Sequence, residues 1–186
     1  MKHLLKLAAI FTIFSGVILN VTGANRKVSG PILDGLGDLQ FPSPQNRSWP
    51  NATSNQGLTL SYAFNHKEAI RSYRSAAMLD RNSAMAFWGI AYAYGPHVNK
   101  PMDELENVEA WKALQHAVAL AKNGTSKEKA LINALSKRYE PTFREDRVSL
   151  DKASASAMRE VMKQFPDDLD VQTLFAEAIM DTMPWD

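Results

Sequence analysis

The chain has 186 residues, 45% of them hydrophobic and 22% charged, with 9 Gly, 9 Pro and no Cys. That is room for a sizeable core in a globular protein. It excludes collagenous, low-complexity and wholly disordered classes, and also a disulfide framework, a thiolate metal site or a cysteine nucleophile. Lys and Arg number 21 against 20 Asp and Glu, a formal charge of +1, so the basic excess of a phosphate-tracking surface is missing and nucleic acid is not an expected partner.

Residues 1–23 place Lys2, His3 and Lys6 ahead of a mostly apolar stretch from Leu7 to Val21, the pattern of a secretory signal peptide. Cleavage after Gly23 and cleavage after Ala24 both leave small residues before the cut. The alternative is an uncleaved anchor, which wants about 20 predominantly apolar residues; Thr12, Ser15, Gly16 and Asn20 interrupt this run. The expected location is therefore periplasmic or extracellular, with no membrane contact after cleavage. Removal of the segment takes away two lysines and no acid, leaving a near-neutral chain. Asn20, Asn46, Asn51 and Asn123 open Asn-x-Ser/Thr triplets, which are glycan acceptors only in a eukaryote and are read here as chance.

Residues 24–55 show no sustained period and hold Gly30, Pro31, Gly35, Gly37, Pro42, Pro44 and Pro50, which predicts an irregular arm. Ile32, Leu33, Leu36, Leu39 and Phe41 are too apolar for a solvated tether, so part of the arm is expected to lie against the first helices, with Trp49. After Ser54 the spacing becomes helical: Leu58 and Tyr62, then Ala69, Ile70, Tyr73, Ala76 and Ala77 recur at three and four residues. Phe64-Asn65-His66 divides two helices, with Asn65 as the second one's cap. Asp80–Ser83 is a turn, Ala84–Tyr94 a helix that Gly95-Pro96 ends, and Gly95–Asn107 a loop. Val108–Lys122 is helical, Asn123-Gly124 stops it, and Thr125-Ser126 caps a helix running to about Tyr139. Helices over Asp151–Phe165 and Asp168–Asp181 follow, separated by Pro166-Asp167. No strand-like alternation competes, so the fold class is all-α, built from antiparallel hairpins with short turns.

Gln56-Gly57-x-x-Leu60 and Ile90-Ala91-x-x-Tyr94 superimpose at an offset of 34 residues, and Ala69, Tyr73 and Ala76 match Ala110, Leu114 and Ala117 at 41, which puts a seven-residue insertion in the Gly95–Asn107 loop. Small residues such as Gly57, Ala69, Ala91 and Ala110 let the helices of a hairpin approach, while Tyr73, Phe87 and Leu114 fill the space between hairpins. A period of 34 with this pattern resembles the tetratricopeptide repeat family: Phe87-x-x-Ile90-Ala91-x-x-Tyr94 looks like its first half, and Ala69-x-x-x-Tyr73-x-x-Ala76 before Leu79-Asp80 like its second. The family's closing proline is replaced by Arg81 in the first repeat and present as Pro166 in the third. The resemblance implies an α-solenoid of hairpins over 56–82, 84–122 and 126–166, with 168–181 opening a fourth, inside a domain spanning 56–186. The segments from Tyr62 to Tyr73 and from Ala84 to Pro96, with the closing Met183-Pro184-Trp185-Asp186, are similar to a group of exported bacterial tetratricopeptide proteins of unsettled activity. Those proteins continue past this closing segment into further repeats containing several histidines, which implies that the chain is an N-terminal piece.

The resemblance also implies that the first helix of each hairpin lines a concave, partner-binding surface. Trp88 and Tyr92, at i and i+4, map there with Leu58 and Tyr62, an aromatic strip suited to gripping an extended peptide or stacking on a sugar. The alternative is that Trp88 packs against the arm or the inserted loop. A carboxylate clamp is disfavoured, since Leu58 and Tyr92 supply neither a basic nor an amide group. His97 and Asn99 in the inserted loop are a second expected contact. His66, His97 and His116 lack a His-x3-His pair and read as structural, with no metal or other cofactor expected. Asp167, Asp168 and Asp170 follow Pro166 as helix-capping carboxylates, not as a calcium loop. Ser154 and Ser156 have no G-x-S-x-G context, no nucleotide-binding glycine loop occurs, and Met78, Met85, Met158 and Met162 fall at helical spacing as core fillers. The expectation is an exported scaffold that binds a protein or peptide partner through Tyr62, Trp88, Tyr92, His97 and Asn99. The rival is that the chain is the helical front of a larger enzyme or metal-binding protein whose active site lies beyond Asp186.

Overall fold

The computed structural model describes residues 30–37 and 48–183, with side chains described from Ala52 onward in the second stretch. The segment 1–23 that reads as a signal peptide, the rest of the arm with Leu39, Phe41 and Asn46, the side chains of Trp49 and Asn51, and residues 184–186 lie outside the described residues. Among those described are seven α-helices and no strand: α1 (Ser48–Tyr62), α2 (His66–Leu79), α3 (Ala84–Tyr94), α4 (Glu104–Leu120), α5 (Ser126–Leu135), α6 (Val148–Gln164) and α7 (Leu169–Met180), with a 3-10 turn at Ala121–Asn123 after α4. The fold is all-α. None of the described helices is long and apolar enough to cross a membrane.

Local chemistry sets most of the boundaries. Ser83 Oγ accepts from Ala86 N (3.3 Å) to open α3, and Asp168 Oδ1 accepts from Val171 N (3.1 Å) to open α7. Thr125 and Glu128 exchange hydrogen bonds in a capping box at α5, satisfying two amides that have no partner inside the helix. Asn65 stands at the start of α2 but gives no side-chain cap; the reversal there is carried by the backbone, with Phe64 at φ 58° and Asn65 N bonded to Leu60 O (2.8 Å).

Four boundaries differ from the expectation by three residues or more, one of them the start of α6, at Val148 and not Asp151. Helix α1 begins at Ser48, inside the stretch read as irregular, because Pro50 falls in the first turn, where an absent N–H leaves no bond unmade. Helix α4 begins at Glu104, not Val108: Asp103 Oδ1 accepts from Glu106 N (2.8 Å) while Glu106 Oε2 accepts from Asp103 N (3.0 Å). Helix α5 stops at Leu135, and the chain runs as loop to Arg147. There Tyr139 turns inward, 3% exposed, and donates its hydroxyl proton to Ala91 O (2.6 Å).

Each helix packs on its neighbours along the chain, α1 on α2, α2 on α3, α3 on α4, α5 on α6 and α6 on α7; α3 also meets α1 and α5 and is the most enclosed. One hydrophobic core runs from Leu58 in α1 to Ala178 in α7. Within it Tyr73 is fully buried, its ring flush against Gly57 of α1 and Gly89 of α3. A Cβ at Gly57 would come within 2.7 Å of that ring, and one at Gly89 within 2.2 Å. The arm residues 30–37 lie on α1 and α2, with Leu36 packed against the core.

Candidate functional site

The structure brings Tyr62, Trp88 and Tyr92 together, but under helix α7 and not in the open. Trp88 is 2% and Tyr92 7% exposed; their rings stack with centroids 5.0 Å apart and planes at 9°. The Trp88 indole donates Nε1–H to Leu131 O (3.2 Å), and Tyr62 donates its hydroxyl to Asp170 Oδ1 of α7 (3.2 Å). Leu131 and Leu135 of α5, Ser154 and Met158 of α6, and Leu174 and Ala178 of α7 close over the pair, leaving a cavity of about 20 Å³, space for a single water. The strip was expected to meet an outside partner. In this structure residues of α5, α6 and α7 cover Trp88 and Tyr92.

A charged cluster borders the strip. Arg138, 4% exposed, pairs with Asp181, lies 3.6 Å from Glu177, donates to Pro96 O and stands over the Tyr92 ring at 5.9 Å. Arg147 donates to Arg138 O and lies 3.7 Å from Asp151. Burial opposes the charge on Arg138, but Glu177 and Asp181 outweigh it and raise its pKa. Glu177 is pushed up to about 7, chiefly by burial, with Asp181 adding to the push against the pull of Arg138. Asp181 is raised by burial too, against Arg138 and Arg147. The cluster ties Glu177 of α7 and Asp181 just after it to the loop that carries Arg138 and to Pro96. Nothing in the periodic pattern marked Arg138, which lies in a loop.

At the edge of the cluster the imidazoles of His66 and His97 stack, centroids 4.0 Å apart at 9°, with Phe64 beside both. Asn99 N donates to His97 Nδ1 (3.2 Å) and the Asn99 side chain is exposed. Burial, reinforced by His66 and Lys100, holds His97 down at about 4, and burial lowers His66 as well. Both rings are therefore neutral at pH 7. Among the described residues no three His, Cys, Asp or Glu side chains converge to hold a metal ion.

An accessible apolar surface lies on the other side of α3. Ala77 and Met78 of α2, Phe87 and Ile90 of α3, and Ala113 and His116 of α4 line an open groove of about 780 Å³, within the size range of ligand-binding clefts. Phe87 and His116 stack at 5.1 Å along it. Its rim carries Arg74, Arg81, Lys112 and Glu109. Glu109 is shared between Arg74 (3.1 Å) and Lys112 (3.5 Å), while Arg81 makes no ion pair among the described residues, so the rim is net basic. Sequence reasoning used Phe87 as a spacer between hairpins and as part of the repeat match, not as a surface residue; its placement on the side of α3 away from Trp88 was the available signal for this groove. Compared with known proteins, the chain matches no family model, no curated protein and no solved structure.

Proposed function

We propose that the chain is a non-catalytic scaffold of the tetratricopeptide type, exported by its leader, that binds a protein partner. The observation that carries this reading is the open groove of α2, α3 and α4, with an apolar floor of Met78, Phe87 and Ile90 under a net basic rim. The 34-residue offset in the sequence and the pairing of α1 with α2, α3 with α4 and α5 with α6 support the repeat assignment. Export rests on Lys2, Lys6 and the apolar run that follows. The partner that fits is an amphipathic segment whose apolar side chains enter the groove and whose acidic flank meets Arg74, Arg81 and Lys112.

A photo-crosslinking residue at His116, in the groove, tests this against the same residue at Lys163, which is exposed on α6. The groove position should capture a discrete protein through an acidic, apolar peptide, and Met78→Ser with Phe87→Ser should abolish capture at unchanged helicity. Equal capture from both positions, or capture that survives the double substitution, refutes the reading.

A further inference from the structure

Gly30, Pro31 and Leu33 of the arm are held on α1 and α2 through their backbone, while Leu36 further along packs its side chain against the core. Gln56, 7% exposed, uses its whole amide: Oε1 accepts from Leu33 N (2.7 Å), and Nε2 donates to Pro31 O (2.9 Å) and to Ser72 Oγ (2.8 Å). Ser75 Oγ, fully buried, accepts from Gly30 N (3.0 Å) and donates back to Arg71 O (2.9 Å). Ser72 likewise donates to Glu68 O (2.9 Å), so the hydroxyls of α2 and the Gln56 amide are fixed in place before any arm arrives. The side chains of Ile32 and Leu33 stay 39% exposed. A Cβ at Gly30 would meet Ser75 Oγ at 3.4 Å and Arg71 O at 3.6 Å, ordinary contact distances that admit alanine.

We infer that Gln56, Ser72 and Ser75 form a peptide-binding rail for an extended segment of another protein, which residues 30–33 occupy as an exchangeable internal ligand. Recognition by side-chain amides and hydroxyls of main-chain N–H and C=O groups is tolerant of sequence. The required segment has a small first residue with a free N–H, a carbonyl at the second position, which proline satisfies, and a non-proline fourth residue. No charge is needed. The rail lies on a different face from the α2–α4 groove, so the two readings stand or fall separately.

The probe is the N-acetylated peptide of residues 30–37, labelled at its C-terminus and titrated against the full chain by fluorescence anisotropy. Gly30→Pro with Leu33→Pro removes from the resident arm the two N–H groups that the rail reads. That variant should bind the peptide at least ~10-fold more tightly than wild type, whose tethered arm competes at high effective concentration. Adding Gln56→Ala should abolish binding; a Leu33→Pro peptide should fail, and an Ile32→Ala peptide should bind as the parent does. Absence of binding to the arm-crippled chain, binding indifferent to Gln56→Ala, or equal binding of the Leu33→Pro peptide overturns the inference. So does a concentration-dependent dimer dissolved by Gln56→Ala without uptake of free peptide, which would make the occupant a second copy's arm. Should the double-proline variant lose helicity, hydrogen exchange on wild type decides: the Gly30 and Leu33 amides should exchange faster than that of Tyr73, and equal protection overturns an exchangeable arm.

Discussion

Glu177 has the side chain whose ionisation is most altered by folding in a direction that reverses the usual carboxylate rule. Burial and Asp181 hold its pKa at about 7, so the folded chain keeps a proton that the unfolded chain releases near the ordinary carboxylate value. Its stabilising contribution is present at low pH, falls as pH rises through that window, and is level above about 7. His97, held at about 4, works in the opposite sense, because the unfolded chain takes up its proton first as pH falls below the ordinary imidazole value. The total curve therefore mixes both, and the difference between wild type and Glu177→Gln isolates the first. Denaturant unfolding at pH 5 and pH 7.5 should show the variant gaining on wild type at the higher pH by about 1–3 kcal/mol; parallel curves would contradict it. Gly89 is the second sensitive residue. Its replacement by Ala gains up to ~1 kcal/mol of helix propensity but drives a methyl into the Tyr73 ring, an overpacking cost of about 1–3 kcal/mol. Net destabilisation at Gly89→Ala, reversed when Tyr73→Leu is added, is the expected result of chemical denaturation.

At the scale of elements, what was legible in the sequence follows how local each signal is. The all-α class and the starts of α3, α5 and α7 rest on caps a few residues away, Ser83, Thr125 and Asp168, and these were readable. The Asp103-x-x-Glu106 box is just as local and was overlooked, because Gly95 to Asn107 was read as one loop. Asp103→Ala should cost about 1 kcal/mol and fray the first turn of α4, seen as faster exchange of the Glu106 amide; unchanged exchange would mean that tertiary packing alone holds that turn. The end of α5 had no such signal. Tyr139 leaves the helix for a carbonyl 48 residues earlier, and a propensity window cannot contain that bond. The same limit applies to the candidate site. Spacing at i and i+4 grouped Trp88 with Tyr92, whereas their burial depends on Leu174 and Ala178, more than 80 residues later in the chain.

For the molecule as a whole, α7 is the closing element. It packs along the chain only on α6, yet Tyr62 of α1 bonds to its Asp170 and Arg138 of the 136–147 loop holds its Glu177 and Asp181. Lys127 of α5 also pairs with Asp168 at its start. An ion pair this buried is a weak source of net stability but a costly one to break in half, since the surviving carboxylates remain dehydrated. Arg138→Met should therefore destabilise by about 3–5 kcal/mol, and the loss should be local: α7 amides lose hydrogen-exchange protection while those of α1 and α2, gathered around Tyr73, keep theirs. Adding Glu177→Leu and Asp181→Ala removes the stranded charges and should restore α7 protection, because the aromatic floor of Trp88 and Tyr92 still offers an apolar seat. If protection falls evenly across all seven helices in Arg138→Met, the chain unfolds as one unit and α7 is no separable closure. If the triple variant leaves α7 unprotected, the ion pairs themselves, and not the aromatic strip, provide its docking energy.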